Sequence, residues 1–408
     1  MADGLDVRRN GVSIATLRST RRGLAVEFAP ELIAGAAAGS IVLSCSVPMR
    51  SGRQDATGWA RGLLPEGQHL LALAAAADVA ASDTFGMLDR YGRDIAGAFE
   101  VVAVGASTRE PRAVPYGPGE LDVEVAELGS NPLGIHGDSE LSLAGLQDKL
   151  VVVATADGWA RPTHGYPSTH ILKVDPPGRP GVVAAEAACL RLARAVGLTS
   201  IDADLGSFGG RSVLIVNRFD RTVIDGRVRR THQEDLLQAL GIPPDGARGR
   251  AKYQPSGTVG PPSWWHAADL LDSHARDPLA ELDALVRAVA FTTVIGNADC
   301  HAKNVAFTIA DGAVRLAPLY DTVPTALWPD LRSSAALAVN DVVDAGAITV
   351  DDVVAEARRW RLSPERSRPA VIDLLEEVRA QLDVADHGEV VGLVDANLRR
   401  MLDGVVRS

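Results

Sequence analysis

Apolar and polar residues alternate with period two near the start of the chain, in DVRRNGVSIATLRST and LAVEFAP. This predicts a small β-meander over residues 6–30 that turns near Arg22–Gly23. The period then lengthens. TGWARGLLPEGQHLLALAAAADVA spaces its apolar residues as a helix does and breaks at Leu64–Pro65, because proline disfavours helix at the residue before it. SDTFGMLDRYGRDIAGAFEVVAV reads as a short helix, a Gly-rich turn and a strand. STREPRAVPYGPGE, with three prolines and two glycines, predicts a linker over residues 106–120.

Strand signals separated by turns follow. LSLAGLQDKLVVVATADGWARP holds a Gly-bearing turn and the strand KLVVVAT, and THILKVDPP is a strand stopped by two prolines. VVAAEAACLRLARAVGL is a helix ending at Gly197. DADLGSFGGRSVLIVNRFDR gives two strands around Gly209–Gly210, then a hinge at Asn217 to Phe219. THQEDLLQALG opens a mostly helical remainder, with Thr231 and Glu234 three residues apart as a capping box. KYQPSGTVGPP is a loop. SWWHAADLL and DPLAELDALVRAVAFTTVIG are helices, the second delivering the chain to Asp299, and from Thr349 onward only helices are expected. Strands and one helix ahead of a helical remainder predict an α+β chain with a two-lobed layout.

Composition narrows this little. With 408 residues, 46% hydrophobic and 23% charged, the chain is expected to fold throughout as two or three domains. A net charge of −11 repels nucleic acid, so any DNA contact has to be local or supplied by a partner. Cys45, Cys189 and Cys300 are far apart with no CxxC spacing, which fits a reducing cytosol and no structural zinc. No apolar signal core opens the sequence and no stretch approaches the roughly 18 apolar residues of a membrane helix, so the expected location is cytoplasmic.

The chemistry concentrates in FTTVIGNADCHAKNVAFTIADGAVRLAPLYDTV, Phe291 to Val323. Asp311–Gly312 between VAFTI and AVRLAPL favours a two-residue type I′ hairpin. Pairing about that turn sets Asn304 opposite Leu319 and brings Asn304 and Asp321 to the open end, with Asp299 on the loop leading in. Oxygen ligands beside a second carboxylate suit Mg²⁺ on a nucleotide phosphate. Asp299 and Asn304 have the spacing of the kinase catalytic loop, in which the Asp takes the hydroxyl proton and the Asn holds metal. His301 touches phosphate or braces the loop, Lys303 reads by alternation as solvated, and Cys300 reads as filler. Lys173 inside the apolar strand HILKVD is a candidate phosphate cation, with Glu186 on the next helix as its partner. The turn from Ser142 to Lys149 is a weak candidate for covering phosphates through its N–H groups. Each of these residues also has an ordinary structural explanation, such as a solvated hairpin end or a surface strand.

In order along the chain, GLLPEG, YGRDIAGAFEV, LSLAGLQDK, THILK, LIVNRFDR, HQEDLLQALG, IGNADCHAKN and LAPLYD together resemble the HipA serine/threonine kinases, toxins of bacterial toxin–antitoxin pairs. The resemblance implies a protein-kinase-like bilobal fold. Residues 1–108 would form a small N-terminal α/β subdomain, 109–219 the N-lobe with phosphate loop and hinge, and 220–408 a mostly helical C-lobe. It implies Asp299 as catalytic base, Asn304 and Asp321 as metal ligands, and ATP and Mg²⁺ as cofactors. ATP contacts would fall to Ala144, Gly145, Leu146, Gln147, Asp148, Lys149 and Lys173, to the hinge at Asn217, Arg218 and Phe219, and to His301, Ala302, Lys303, Asn304, Tyr320 and Asp321. Ser142 matches the serine that family members autophosphorylate. The implied partners are a protein substrate of the aminoacyl-tRNA synthetase kind and a HipB-like antitoxin, with DNA reached only through the antitoxin and no membrane. Cys300 departs from a frequent glycine, and Asn217 stands where an acidic residue occurs. The cluster Arg358, Arg359, Arg361, Arg366 and Arg368 reads as a solvated helix end ahead of an antitoxin or operator contact. Other readings are a small-molecule kinase of the aminoglycoside-phosphotransferase type, against which HQEDLLQALG argues, a regulatory pseudokinase, against which the intact Lys173, Asp299, Asn304 and Asp321 argue, and a metallophosphoesterase, for which further His/Asp motifs are lacking.

Overall fold

The structure, a computed structural model, describes residues 4–37, 39–106, 110–129, 147–244, 250–255 and 260–406. The chain divides into two compact units, one of residues 1–177, 206–251 and 309–312, the other of residues 178–205, 252–308 and 313–408. Helix and sheet are mixed in both, as the α+β expectation requires.

The first unit opens with β1 (Leu5–Arg9), β2 (Val12–Thr20), β3 (Gly23–Phe28), α1 (Pro30–Ala34), β4 (Gln54–Asp55), α2 (Thr57–Gly62), α3 (Gly67–Ala77), α4 (Thr84–Tyr91) and β5 (Phe99–Ala103). The strands form an antiparallel sheet in the order β4-β3-β2-β1-β5. Leu24, Val26 and Phe28 alternate onto one face and meet Trp59, Met87, Leu88 and Tyr91 in a buried cluster. A fully buried side chain of this size contributes about 1.5–3 kcal/mol. The helix break at Leu64–Pro65 lies between α2 and α3, as expected.

Next come β6 (Arg112–Pro115), α5 (Glu120–Ala126), β7 (Lys149–Thr155), β8 (Gly158–Thr163), β9 (His170–Val174), α6 (Val182–Ala195, in the second unit), β10 (Ala203–Phe208) and β11 (Arg211–Asn217). The predicted linker over 106–120 is corrected here. Arg112–Pro115 is a strand, pairing antiparallel with β8 from Arg112↔Thr163 to Pro115↔Ala160. It is the edge of a sheet in the order β10-β11-β9-β7-β8-β6, and an edge strand is where proline is tolerated. Leu150, Val152, Leu172, Val174 and Val213 face α5, burying Leu121 and Val125. With side chains alternating across a strand, Lys149 and Lys173 take the other face.

β12 (Arg221–Ile224), β13 (Arg227–Arg230), β14 (His232–Asp235) and α7 (Leu236–Ala239) complete the unit. The capping box is not Thr231 with Glu234. His232–Asp235 is strand, and the cap is one residue on: Asp235 Oδ1 accepts from Gln238 N at 2.9 Å and Asp235 N donates to Gln238 Oε1 at 3.1 Å. Glu234 is buried instead, with its Oε1 accepting from Cys45 N at 2.8 Å.

The second unit contains α6, α8 (Trp264–His274), α9 (Pro278–Val294), β15 (Ala306–Ala310), β16 (Ala313–Leu316), β17 (Ser334–Val339), β18 (Val342–Asp344), α10 (Val350–Arg359), α11 (Pro364–Ala380) and α12 (Gly388–Val406). The β17–β18 hairpin has no counterpart among the predicted elements. Arg359, Arg366 and Arg368 each lie within 2.6 Å of a carboxylate, Asp341, Asp283 and Asp351 respectively, and Arg361 lies 3.9 Å from Asp272. Arg359, Arg361, Arg366 and Arg368 are therefore ion-paired at the surface. Among the described residues no helix is long and apolar enough to cross a membrane.

Burial pushes the Glu234 carboxyl up to about 7 from its ordinary 4.5. An acid whose folded pKa is raised loses stability as pH climbs from the unfolded to the folded value, because the unfolded chain ionises first. Glu234→Gln is expected to match wild type in denaturant unfolding near pH 4.5. At pH 8 its margin should reach roughly 3 kcal/mol; equal margins at both pH values would contradict this.

Candidate active site

The expected site residues fall into two sets, each assembled inside one unit. Ser142, Ala144, Gly145 and Leu146 lie outside the described residues.

In the first unit the β7–β9 ladder pairs Lys149 with Lys173 directly, and β11 adds Leu214 opposite Lys173. Both lysines are buried, at 7% and 8% exposure. Cross-strand partners share a face at about 4.5–5.5 Å between Cβ atoms, so two ammonium stems rise side by side, an arrangement that suits an anion. The chain entering β7 is fastened at two points. Gln147 Nε2 donates to Val174 O at 3.0 Å, next to Lys173, and Asp148 accepts from His69 Nε2 at 3.0 Å. At the end of β11, Arg218 N donates to Thr169 O at 2.8 Å. The Arg218 guanidinium turns inward, reaching Asp220 at 2.9 Å, Ser168 Oγ at 2.8 Å and Ile95 O at 3.1 Å. Any ligand at Asn217 to Phe219 therefore meets backbone at Arg218.

In the second unit α9 leads straight into the loop, as expected. The helix closes at Gly296, whose φ of 71° is the left-handed conformation that ends helices and is open to glycine. Thr325 Oγ1 then accepts from Ala298 N at 2.8 Å, and Asn297 ties both ends of the site, its Oδ1 accepting from Asp299 N at 3.0 Å and its Nδ2 donating to Asp321 O at 3.3 Å. Asp311 and Gly312 have φ of 50° and 73°, the expected type I′ turn. The ladder stops earlier than predicted, at the bond from Ala317 N to Ala306 O of 2.9 Å. Asn304 is not paired opposite Leu319: residues Ala302–Asn304 form a 3₁₀ turn in which Asn304 N donates to His301 O at 2.7 Å. The same turn corrects Lys303, which is 6% exposed rather than solvated, since strand alternation does not apply there. Tyr320 closes the open end, its hydroxyl donating to Lys303 O at 2.6 Å.

Burial raises the Asp299 pKa and the Asp321 charge raises it further, while Lys252, a hydrogen bond from Tyr253 and Arg332 draw it back. Asn304 Nδ2 donates to Asp299 O at 3.3 Å, so its oxygen is the atom left to meet a cation. Asp321 holds a left-handed φ of 55°, which aspartate tolerates better than most residues. A hard cation fits this oxygen set and relieves the Asp299–Asp321 repulsion. Among the described residues no group of three or more His, Cys, Asp or Glu could hold a metal ion. Burial, then Lys252, holds His301 down to about 3, so its ring is neutral at pH 7. Burial pushes the Cys300 thiol up to about 12, which disfavours a thiolate at neutral pH.

Lys252, Tyr253 and Asn297 were not anticipated. The Tyr253 ring carries the Arg332 guanidinium 4.4 Å from its centroid and meets the His301 ring edge-on at 5.6 Å. The segment is anchored by Ala302 N donating to Lys252 O at 3.0 Å and Gln254 N to Ala336 O at 2.9 Å. A loop-like run carries no periodic signal that could have disclosed this.

Residues 5–102 match the family described as HipA N-terminal domain, and residues 141–383 that described as HipA-like C-terminal domain. The chain is similar to the putative kinase Y4mE of Sinorhizobium fredii, 35% identical over 76% of this chain and 75% of that protein. It is 30% identical to the serine/threonine-protein kinase toxin HipA of Shewanella oneidensis over 70% of this chain and 67% of that protein. A solved structure of the Shewanella oneidensis HipA toxin–antitoxin system, with HipB and operator DNA, matches with a TM-score of 0.79 at 25% identity, covering 98% of this chain and 97% of that one. The kinase-like fold expected from the motifs is thus the fold of HipA, and the chain belongs to the HipA family of kinases.

Proposed function

We propose that the protein is an ATP- and Mg²⁺-dependent protein serine/threonine kinase. On this reading it arrests growth by phosphorylating a translation component such as an aminoacyl-tRNA synthetase, and it inactivates itself by autophosphorylation at Ser142. The observation that carries the proposal is the geometry of the loop at Asp299: Asn297 binds both Asp299 N and Asp321 O, and Asn304 Nδ2 binds Asp299 O, so the Asp299 carboxyl stands with Asn304 and Asp321 in one site. A base of that kind takes the proton of a serine or threonine hydroxyl as its oxygen bonds to the γ-phosphorus and the bond to the bridging oxygen breaks, releasing ADP.

Tyr253 and Arg332 hold the base in position, with Asn297 fixing its backbone. Asn304 and Asp321 would hold the magnesium, which neutralises charge on the phosphoryl group when bound. Lys149 and Lys173 supply positive charge for phosphate, residues 144–149 cover it, the backbone of Asn217 to Phe219 receives adenine, and residues 301–304 with Tyr320 complete the nucleotide contacts. The divisions at residues 108 and 219 belong to the same reading, as does a cytoplasmic location, where ATP and translation components are. Because the similar Shewanella oneidensis structure contains HipB and operator DNA, a HipB-like antitoxin is the proposed partner, with DNA reached through it.

Labelled ATP with Mg²⁺ should label the purified protein at Ser142 and one lysate protein, and Asp299→Asn should lower both by roughly 10²–10⁴-fold. Equal labelling by wild type and variant would overturn the mechanism. Tyr253→Phe removes only the hydroxyl on Asp299 and is expected to lower kcat by about tenfold with little change in the KM for ATP. An unchanged kcat would remove Tyr253 from the positioning of the base.

A further inference from the structure

The N-terminal sheet domain touches the strand system of its unit through directed polar contacts. They land beside the proposed nucleotide-binding residues. The first is the hydrogen bond of 3.0 Å from His69 Nε2, on α3, to the Asp148 carboxylate, with the two side chains 4% and 16% exposed. Asp148 lies between Gln147, which is bound to Val174 O, and Lys149, the cross-strand neighbour of Lys173. Asp148 O also accepts from Val174 N at 3.3 Å. The direction in which the chain enters β7 is therefore set by one histidine of the N-terminal domain together with β9.

The second contact lies at the other end of the same strands. Asp94, 2% exposed, places Oδ1 3.0 Å from the Arg221 guanidinium, and its Oδ2 accepts from Ser168 N at 3.0 Å and lies 3.6 Å from Arg218. Gly97 N donates to Asp220 Oδ2 at 2.8 Å, and Gly97 O accepts from Arg221 at 2.9 Å. Two carboxylates and two guanidiniums, all buried, interlock here. The N-terminal domain supplies one of the carboxylates, and Arg218 sits within the segment 217–219. Removing one partner of a buried ion pair is strongly destabilising, so that segment is held by Asp94.

We infer that His69 and Asp94 are positioning residues for nucleotide binding. His69 fixes Asp148 at the start of β7, beside Lys149, and Asp94 fixes the segment 217–219, which makes residues 5–103 a working part of the nucleotide-binding unit. This rests on the kinase reading above. It adds a role for residues that touch neither nucleotide nor protein substrate. A positioning contact has a specific signature: its loss loosens the element it holds and weakens ATP binding while leaving phosphoryl transfer nearly intact, and a side chain with a donor at similar reach restores it.

The test uses full-length wild type, His69→Leu and His69→Gln. Hydrogen exchange is followed at the amides of residues 149–153, with the amides of β2 and β3 as internal reference. His69→Leu is expected to speed exchange at 149–153 and not in the reference strands. It should raise the KM for ATP about tenfold with kcat within about twofold, and His69→Gln should recover most of both. Unchanged exchange at 149–153 in His69→Leu, or Gln behaving as Leu does, would overturn the inference. Asp94→Asn, which keeps shape and removes charge, should speed exchange at residues 217–219 relative to β2 and β3, and unchanged exchange there would remove Asp94 from the inference. A wild type that transfers no phosphate from ATP fails the kinase reading instead, and the exchange comparison still decides whether His69 positions the strand.

Discussion

Like charges held together where water is scarce constrain both units. In the first, Lys149 and Lys173 are direct cross-strand partners on one sheet face. In the second, Asp299 is half-buried and close enough to Asp321 for the two carboxyls to repel. The carboxyl pair does not favour the free chain, since burial disfavours the charged form of a carboxyl. On the proposed reading the charges divide by role, the lysines for phosphate and the aspartates for metal and base.

Keeping such groups in register takes scaffolding, and it is polar as well as apolar. Asn297, Thr325 and Tyr320 bind the loop containing Asp299 to the segment containing Asp321 through hydrogen bonds of 2.6–3.3 Å. In the first unit the scaffold is the ion network of Asp94, Arg218, Asp220 and Arg221, in which opposing guanidiniums hold the Asp220 carboxyl well below the usual carboxylate range despite full burial. Such a network is weak as a source of net stability, since desolvation offsets much of its attraction, but it tolerates few alternative geometries. It therefore defines the orientation of the segment 217–219 more than it stabilises the fold.

The sequence displayed most of this in outline. Period-two stretches gave the meander and the strand KLVVVAT, the helix break at Pro65 was in place, and Asp311–Gly312 formed its turn, because each signal is local and steric. What escaped depends on contacts distant in sequence. Arg112–Pro115 looks like a linker and becomes a strand because β8 offers an edge. Thr231 and Glu234 fit a capping box, yet Glu234 is drawn toward Cys45 and the cap moves to Asp235. Lys303 obeys strand alternation only if residue 303 is in a strand, and it is in a 3₁₀ turn. Spacing and motif order single out Asp299, Asn304 and Asp321 as candidates, whereas Tyr253 and Lys252 escaped, since nothing in a loop of that composition announces that it packs against a carboxylate.

The most direct test of the division of charge is the affinity for ATP with and without Mg²⁺ in wild type, Lys173→Met and Asp321→Asn, measured by calorimetry. If the lysine serves phosphate and the aspartate serves the metal, Lys173→Met weakens ATP binding under both conditions. Asp321→Asn weakens it only when Mg²⁺ is present, by roughly tenfold or more. Equal loss in Asp321→Asn with and without Mg²⁺, or no loss in Lys173→Met, would contradict the account.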